Sequence, residues 1–174
     1  MRQKEDPMRN VRKLMFLIIA VLTLTCSCLA ASKSQPEFDK IKSLAGNWEG
    51  PATDAKPAHI NYQVVSGGTA VMETIQGKSA ALMITMYHLD GDQLMMTHYC
   101  MANNQPRMKA DAATSSPTSI KFKLVDVTNL ASPDDGHMAG LTIEWKDANH
   151  VSTHWTWRQK GVETVETFEL HRVN

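Results

Sequence analysis

The stretch His98 to Arg107, HYCMANNQPR, sets an imidazole, a phenol, a thiol, three side-chain amides and a guanidinium within ten positions. Residues two apart on an extended strand share a face, so His98 and Cys100 point the same way. Such a pair can seed a metal site, with His154 from another strand as a third ligand. Tetrahedral zinc needs a fourth group that the sequence does not identify, and no metal ligands are assigned. Nucleophilic chemistry at Cys100 needs a histidine within hydrogen-bond reach. Two strand rises put His98 about 6–7 Å away, which is too far. No catalytic residue is assigned on these grounds.

The end of the stretch has a different character. Pro106 lacks an amide donor and favours an extended Gln105, which places Arg107 at the start of a strand. There a guanidinium either forks onto a carboxylate at a cavity mouth or stands in solvent beside Lys109 and Asp111. A second histidine-bearing run, HVSTHWTW, alternates His150, Ser152, His154 and Thr156 against Val151, Thr153, Trp155 and Trp157. Parity opposes the two sets without saying which faces inward. If the polar set does, His154 joins the candidate binding residues.

The elements that must position these side chains are short and mostly extended. EFDKIKSLAG carries Phe38, Ile41 and Leu44 at helical spacing and stops at Gly46, which predicts one short helix. From Trp48 onward the period is two, and turn residues such as Gly67-Gly68, Gly77-Lys78, Asp90-Gly91, Asn103-Asn104 and Lys160-Gly161 separate the runs. Ten strands are expected, near 47–52, 58–66, 69–76, 80–89, 92–101, 106–112, 118–126, 138–147, 150–158 and 162–173. The fold class is all-β, and ten successive antiparallel strands without a covering helix are most simply satisfied by closure into an up-and-down barrel. A flattened sandwich with a filled core fits the same periodicity. A barrel of this strand number is wide enough to enclose a cavity.

The hairpin over 80–101 is expected to turn at Asp90-Gly91, with Tyr87 opposite Leu94 and Met83 opposite His98. One face then carries Met83, Thr85, Tyr87, Leu94, Met96, His98 and Cys100. The other carries Leu82, Ile84, Met86, His88, Met95, Thr97, Tyr99 and Met101. The first set is assigned to the lumen, because Tyr99 and Met101 suit an outer interface. Both faces are apolar, so a homodimer through this hairpin is the economical cover for the outside.

Basic residues Arg9, Arg12 and Lys13 precede the apolar run LMFLIIAVLTL, and small residues follow up to Ala30-Ala31. Residues 1–30 therefore read as a secretory signal peptide, 31–36 as a flexible leader and 37–174 as the barrel domain, exported to the periplasm or beyond. Cys26 and Cys28 offer lipid anchoring as an alternative. Nothing later in the chain reaches transmembrane length. The whole chain has 18 basic and 18 acidic residues, and five of the basic but two of the acidic lie in the first thirty. The slightly acidic remainder lacks the clustered Lys and Arg that nucleic acid requires. Cleavage also leaves Cys100 as the sole thiol, so the domain must fold without an internal disulfide.

Gly46-Asn47-Trp48 after the short helix, together with Arg172 in the closing FELHRV, resembles the calycin group of lipocalins, fatty-acid-binding proteins and nitrobindin-like barrels. The runs LAGNWEG, NYQVVSGGTAVMETI and MYHLDGDQLMMTHYC look like those of bacterial exported lipocalin-like proteins. The resemblance implies that Trp48 and Arg172 stack at the closed end. It also implies a small, mostly apolar or amphipathic ligand in the barrel, and Met83, Met96, His98, Cys100, Arg107 and His154 are the candidate ligand-binding residues. No cofactor is assigned. A nitrobindin-like alternative would hold haem through a late-strand histidine, with His154 and His171 as the nearest candidates. An enzyme acting on a lipid-like substrate, with His98 or His154 as general base, is a further alternative.

Overall fold

A computed structural model describes residues 33–54, 57–76 and 82–173. The proposed signal peptide, the cysteines at 26 and 28 and the turn at 77–78 lie outside the described residues. Alternating apolar and polar side chains produce ten strands among these residues: β1 (Gly46–Pro51), β2 (Pro57–Val65), β3 (Ala70–Gln76), β4 (Leu82–Asp90), β5 (Gln93–Tyr99), β6 (Gln105–Ala110), β7 (Ser119–Thr128), β8 (His137–Trp145), β9 (His150–Gln159) and β10 (Val162–Val173). Each pairs antiparallel with the next, and β1 pairs with β10 to close the barrel. Closure leaves no unpaired sheet edge, so a sheet this wide needs no covering helices.

The helix α1 (Gln35–Lys42) starts two residues earlier than the spacing of Phe38 and Ile41 indicates, because Pro36 is accommodated in its first turn. Part of the expected leader is consequently ordered. Ser34 Oγ donates to the carbonyl of Asp92 at 2.7 Å and the Lys33 amide donates to Asp92 Oδ1 at 2.9 Å. Phe38, Ile41 and Leu44 are buried and plug one end of the barrel. At the same end Trp48 and Arg172 lie directly opposite each other in the closing β1–β10 seam. The guanidinium carbon sits 4.3 Å from the indole centroid, while Nη1 and Nη2 donate to the carbonyls of Ala45 and Ser43. The cation thus closes the seam and binds carbonyls left over at the helix C-terminus.

The β4–β5 turn differs from the sequence expectation. Asp90 pairs with Gln93, so the two loop residues are Gly91 and Asp92 rather than Asp90 and Gly91. Gly91 supplies the positive φ of 55°, and Asp92 is held in the loop by its bonds to residues 33 and 34. The register moves by two residues, which preserves parity, so each side chain keeps its face. Thr85, Tyr87, Leu94, Met96 and His98 are buried inside, whereas Leu82, Tyr99 and Met101 stand exposed outside. What changes is the partner of His98, which is Thr85 and not Met83.

Candidate functional site

A row of polar side chains crosses four strands inside the barrel. Tyr62 on β2 pairs with Glu73 on β3, Glu73 with Thr85 on β4, and Thr85 with His98 on β5. Directly paired residues on one face of an antiparallel sheet bring their side chains within reach, so these four form a continuous polar seam through an apolar core. Tyr62 Oη donates to Glu73 Oε1 at 2.6 Å, and Tyr87 Oη donates to Oε2 at 2.8 Å. Thr85 also hydrogen-bonds the carboxyl, which favours its charged form. Thr85 Oγ1 lies 3.0 Å from His98 Nδ1.

Burial governs the ionisation of every member. It raises the Glu73 carboxyl, opposed by the three hydroxyls bonded to it. It pushes both tyrosines up, reinforced by the adjacent carboxyl, so they stay neutral donors. His98 is pulled down from 6.5 to about 4, again by burial, and is a neutral imidazole at physiological pH. Its Nε2 is buried and has no hydrogen-bond partner among the described residues. The ring packs on Trp155 with centroids 4.7 Å apart. Trp155 Nε1 is likewise buried without a partner.

His98 and Trp155 line a cavity of about 10 Å³ toward the end opposite α1. Ile75, Met83, Met138 and Phe168 complete its apolar wall, and Glu166 lines it from the exposed part of β10. This volume admits about one water molecule, so among the described residues the lumen around His98 is nearly filled by side chains. Larger hollows among the described residues are open to the surface. One of about 430 Å³ lies between α1 and the β6–β7 loop, bordered by Pro36, Lys40 and Pro117, and it contains no buried polar group.

The candidate residues divide accordingly. Met83 and His98 line the lumenal cavity. Met96 is fully buried in the core two residues before His98. Cys100 is half-buried just past the end of β5, where the Asn103 amide bonds its carbonyl, and it does not line the cavity. Arg107 is outside the barrel. Pro106 and Met108 take the inward positions of β6, so Arg107 projects outward and its Nε donates to Asp126 Oδ1 at 2.6 Å. His154 is also on the outer face, with Nδ1 2.9 Å from Thr167 Oγ1 and Nε2 3.6 Å from Glu144. The aromatic set of β9 faces inward: Val151 and Trp155 belong to the buried core, whereas Ser152, although buried too, bonds Glu169 on the outer side. His171 is exposed on the outer face as well, between Leu170 and Arg172.

Among the described residues, no group of three or more His, Cys, Asp or Glu side chains converges as a metal site would require. Asn104, expected in a plain turn, is buried and ties the β5–β6 loop to the β7–β8 loop through Nδ2 to the Gly136 carbonyl at 2.8 Å. Glu73 was the residue sequence reasoning missed. Its parity with Val71 and Ile75 in AVMETIQ is the available clue, since a lone carboxylate in an apolar set must find buried donors.

Comparison with known proteins locates the fold and goes no further. No family model matches the chain, and no curated protein matches it by sequence. Among solved structures it is similar to the crystal structure of Rv2717c from M. tuberculosis, with a TM-score of 0.56 and 14% identity over 80% of this chain and 98% of that one. The architecture is that of a calycin-type barrel. A structure of EF1p2_mFAP2b bound to DFHBI is also similar over 76% of this chain and 95% of that one, with 12% identity and a TM-score of 0.30.

Proposed function

We propose that the protein is an exported calycin-type barrel that binds a small, mostly apolar molecule from the end opposite α1, with the molecule's polar end at His98. The observation that carries this reading is the buried Nε2 of His98, left without a partner beside an apolar cavity. A buried nitrogen without a partner costs about 1–3 kcal/mol, and a ligand group or water that meets it recovers that loss. Met83 and Met138 are half-buried in the cavity wall, and unbranched thioether side chains can repack around an incoming molecule. That adaptability supports entry of a molecule larger than this cavity.

Mass spectrometry of the full chain expressed in a bacterium, under native and then denaturing conditions, tests each part of the proposal. The expected result is a native mass exceeding the denatured one by a bound small molecule, with a denatured mass corresponding to loss of residues 1–30. A doubled native mass is expected as well if the exposed Leu82, Tyr99 and Met101 are covered by a second copy. Identical native and denatured masses, together with no tryptophan fluorescence response to alcohols, fatty acids or haemin, contradict the binding reading. Retention of the first thirty residues contradicts export.

A further inference from the structure

The outside of the barrel changes character from one wall to the other. Acidic side chains meet basic ones across β1 and β2, β6 and β7, β8 and β9, and β9 and β10: Glu49 with His59, Arg107 with Asp126, Glu144 with His154 and Glu163 with Arg158. On β3, β4 and β5 the outward positions from Ala70 to Thr74, from Ile84 to His88 and from Met95 to Tyr99 contain no Asp, Glu, Lys or Arg. They stand in direct cross-strand register. Met72, Met86 and Thr97 form one row, and Thr74, Ile84 and Tyr99 form the next. Tyr99 is 50% exposed, and Leu82 and Met101, two residues beyond Ile84 and Tyr99, are 55% and 51% exposed.

Polar strips border this patch on both sides. Asn61 and Gln63 of β2 pair with Thr74 and Met72, and Arg107 and Lys109 of β6 pair with Thr97 and Met95. A centre of Met and Tyr without Lys, Glu or Asp, inside a polar rim that includes Arg, is the composition of a protein–protein interface. The five strands β2 to β6 span roughly 24 Å across and about 20 Å along, or about 480 Å² in projection. Side-chain relief brings the accessible area near the roughly 600 Å² per subunit at which specific interfaces begin, so the contact is small and readily dissociable.

We propose that this face is a docking surface for a second copy of the chain, related by a two-fold axis and centred on Met86 and Tyr99. Sheet faces stack about 10 Å apart with their side chains interdigitated, so such a face fits its own copy in shape. A patch without acidic or basic groups also meets itself with no like charges opposed. The two-fold contact is closed and stops at the dimer. The 80–101 hairpin expected from the sequence is its centre, and β3 with the strips on β2 and β6 completes it. The same three strands carry Glu73, Thr85 and His98 on their inner face, so the second copy backs the wall of the candidate site. The proposal stands independently of ligand binding.

Sedimentation velocity tests it on the protein purified after expression of the full chain, over about 1 to 200 μM. A monomer–dimer equilibrium with a dissociation constant on the order of 10 μM is expected. Met86→Lys sets two ammonium groups face to face while its alkyl stem still covers the sheet, and should raise the constant more than about tenfold. Tyr99→Ser removes an exposed ring and should raise it about three- to tenfold. Thr156→Lys places the same charge on the outer side of β9 and should leave the constant unchanged. Circular dichroism checks that each variant is folded, and Tyr99→Ser decides the matter if Met86→Lys does not fold. A monomer at every concentration overturns the proposal, because something other than a second copy then covers the face. A dimer whose constant is unchanged in the folded variants, a dimer weakened equally by Thr156→Lys, or growth beyond the dimer overturns it as well.

Discussion

Replacing Glu73 with Leu is expected to destabilise the barrel by about 3–5 kcal/mol, although the two side chains are close in volume and leucine is the more apolar. The cost arises in the partners. Tyr62 and Tyr87 are buried, and Glu73 is the acceptor of both hydroxyls. Leucine leaves two phenolic donors in a dry interior, each costing about 1–3 kcal/mol. The triple variant Tyr62→Phe, Glu73→Leu, Tyr87→Phe removes donors and acceptor together and should recover most of the loss, because an apolar replacement of a complete buried network is often close to neutral. Urea unfolding of the wild type, the single variant and the triple variant measures both steps. A single variant as stable as the wild type, or a triple variant less stable than the single one, would show that the hydroxyls find other partners.

Acid should weaken the fold through His98 in a defined window. Burial holds its folded pKa at about 4, against 6.5 for the free side chain. Between those values the unfolded chain binds the extra proton, so stability rises with pH across the window and the penalty vanishes above about 6.5. At about 1.4 kcal/mol per pH unit, the loss on reaching pH 4 is about 3 kcal/mol. Glu73 acts in the opposite sense. Its raised pKa gives a contribution present at low pH and lost as pH rises through the folded value. The outer carboxylates Asp111, Asp126 and Asp147 are held below their ordinary values, so their contribution is lost only as pH falls through those lower values. Comparison with His98→Gln isolates the histidine. Urea unfolding at pH 7 and pH 4.5 should show a loss in the wild type about 2–3 kcal/mol larger than in the variant. Equal losses would mean that the imidazole takes up its proton inside the fold without penalty.

Strand periodicity made most of the architecture legible, and local turn chemistry accounts for where it fell short. Alternation placed the ten strands within two residues of their observed ends. It also separated the two faces of the 82–99 hairpin correctly, because a register shift of two residues leaves parity intact. Asp90-Gly91 looks like a tight turn in isolation. The observed loop is Gly91-Asp92 because Asp92 also bonds residues 33 and 34, which lie 59 and 58 positions away. That preference is tertiary and leaves no local trace. The inward face of β9 was undecidable from HVSTHWTW, since both sets are plausible barrel linings until their neighbours are known. Arg107 escaped for the opposite reason: its own strand is informative, because Pro106 and Met108 are apolar and share the face it does not. Glu73 was readable in principle. Reading it required the registers β2 to β3, β3 to β4 and β4 to β5 together, and only then do Tyr62, Thr85 and His98 appear as its neighbours.

The central claim is that the polar end of a small molecule meets His98 in the lumen, and imidazole nitrogen NMR tests it most directly. Long-range ¹H–¹⁵N spectra of the uniformly labelled protein at pH 7.5 distinguish the two neutral tautomers of each histidine, and His98 is assigned by its loss in His98→Gln. The predicted result is a His98 Nε2 resonance that shifts when 1-octanol, or the molecule extracted from the protein, is added. A His98 Nε2 resonance that responds to neither at saturating concentration would contradict it.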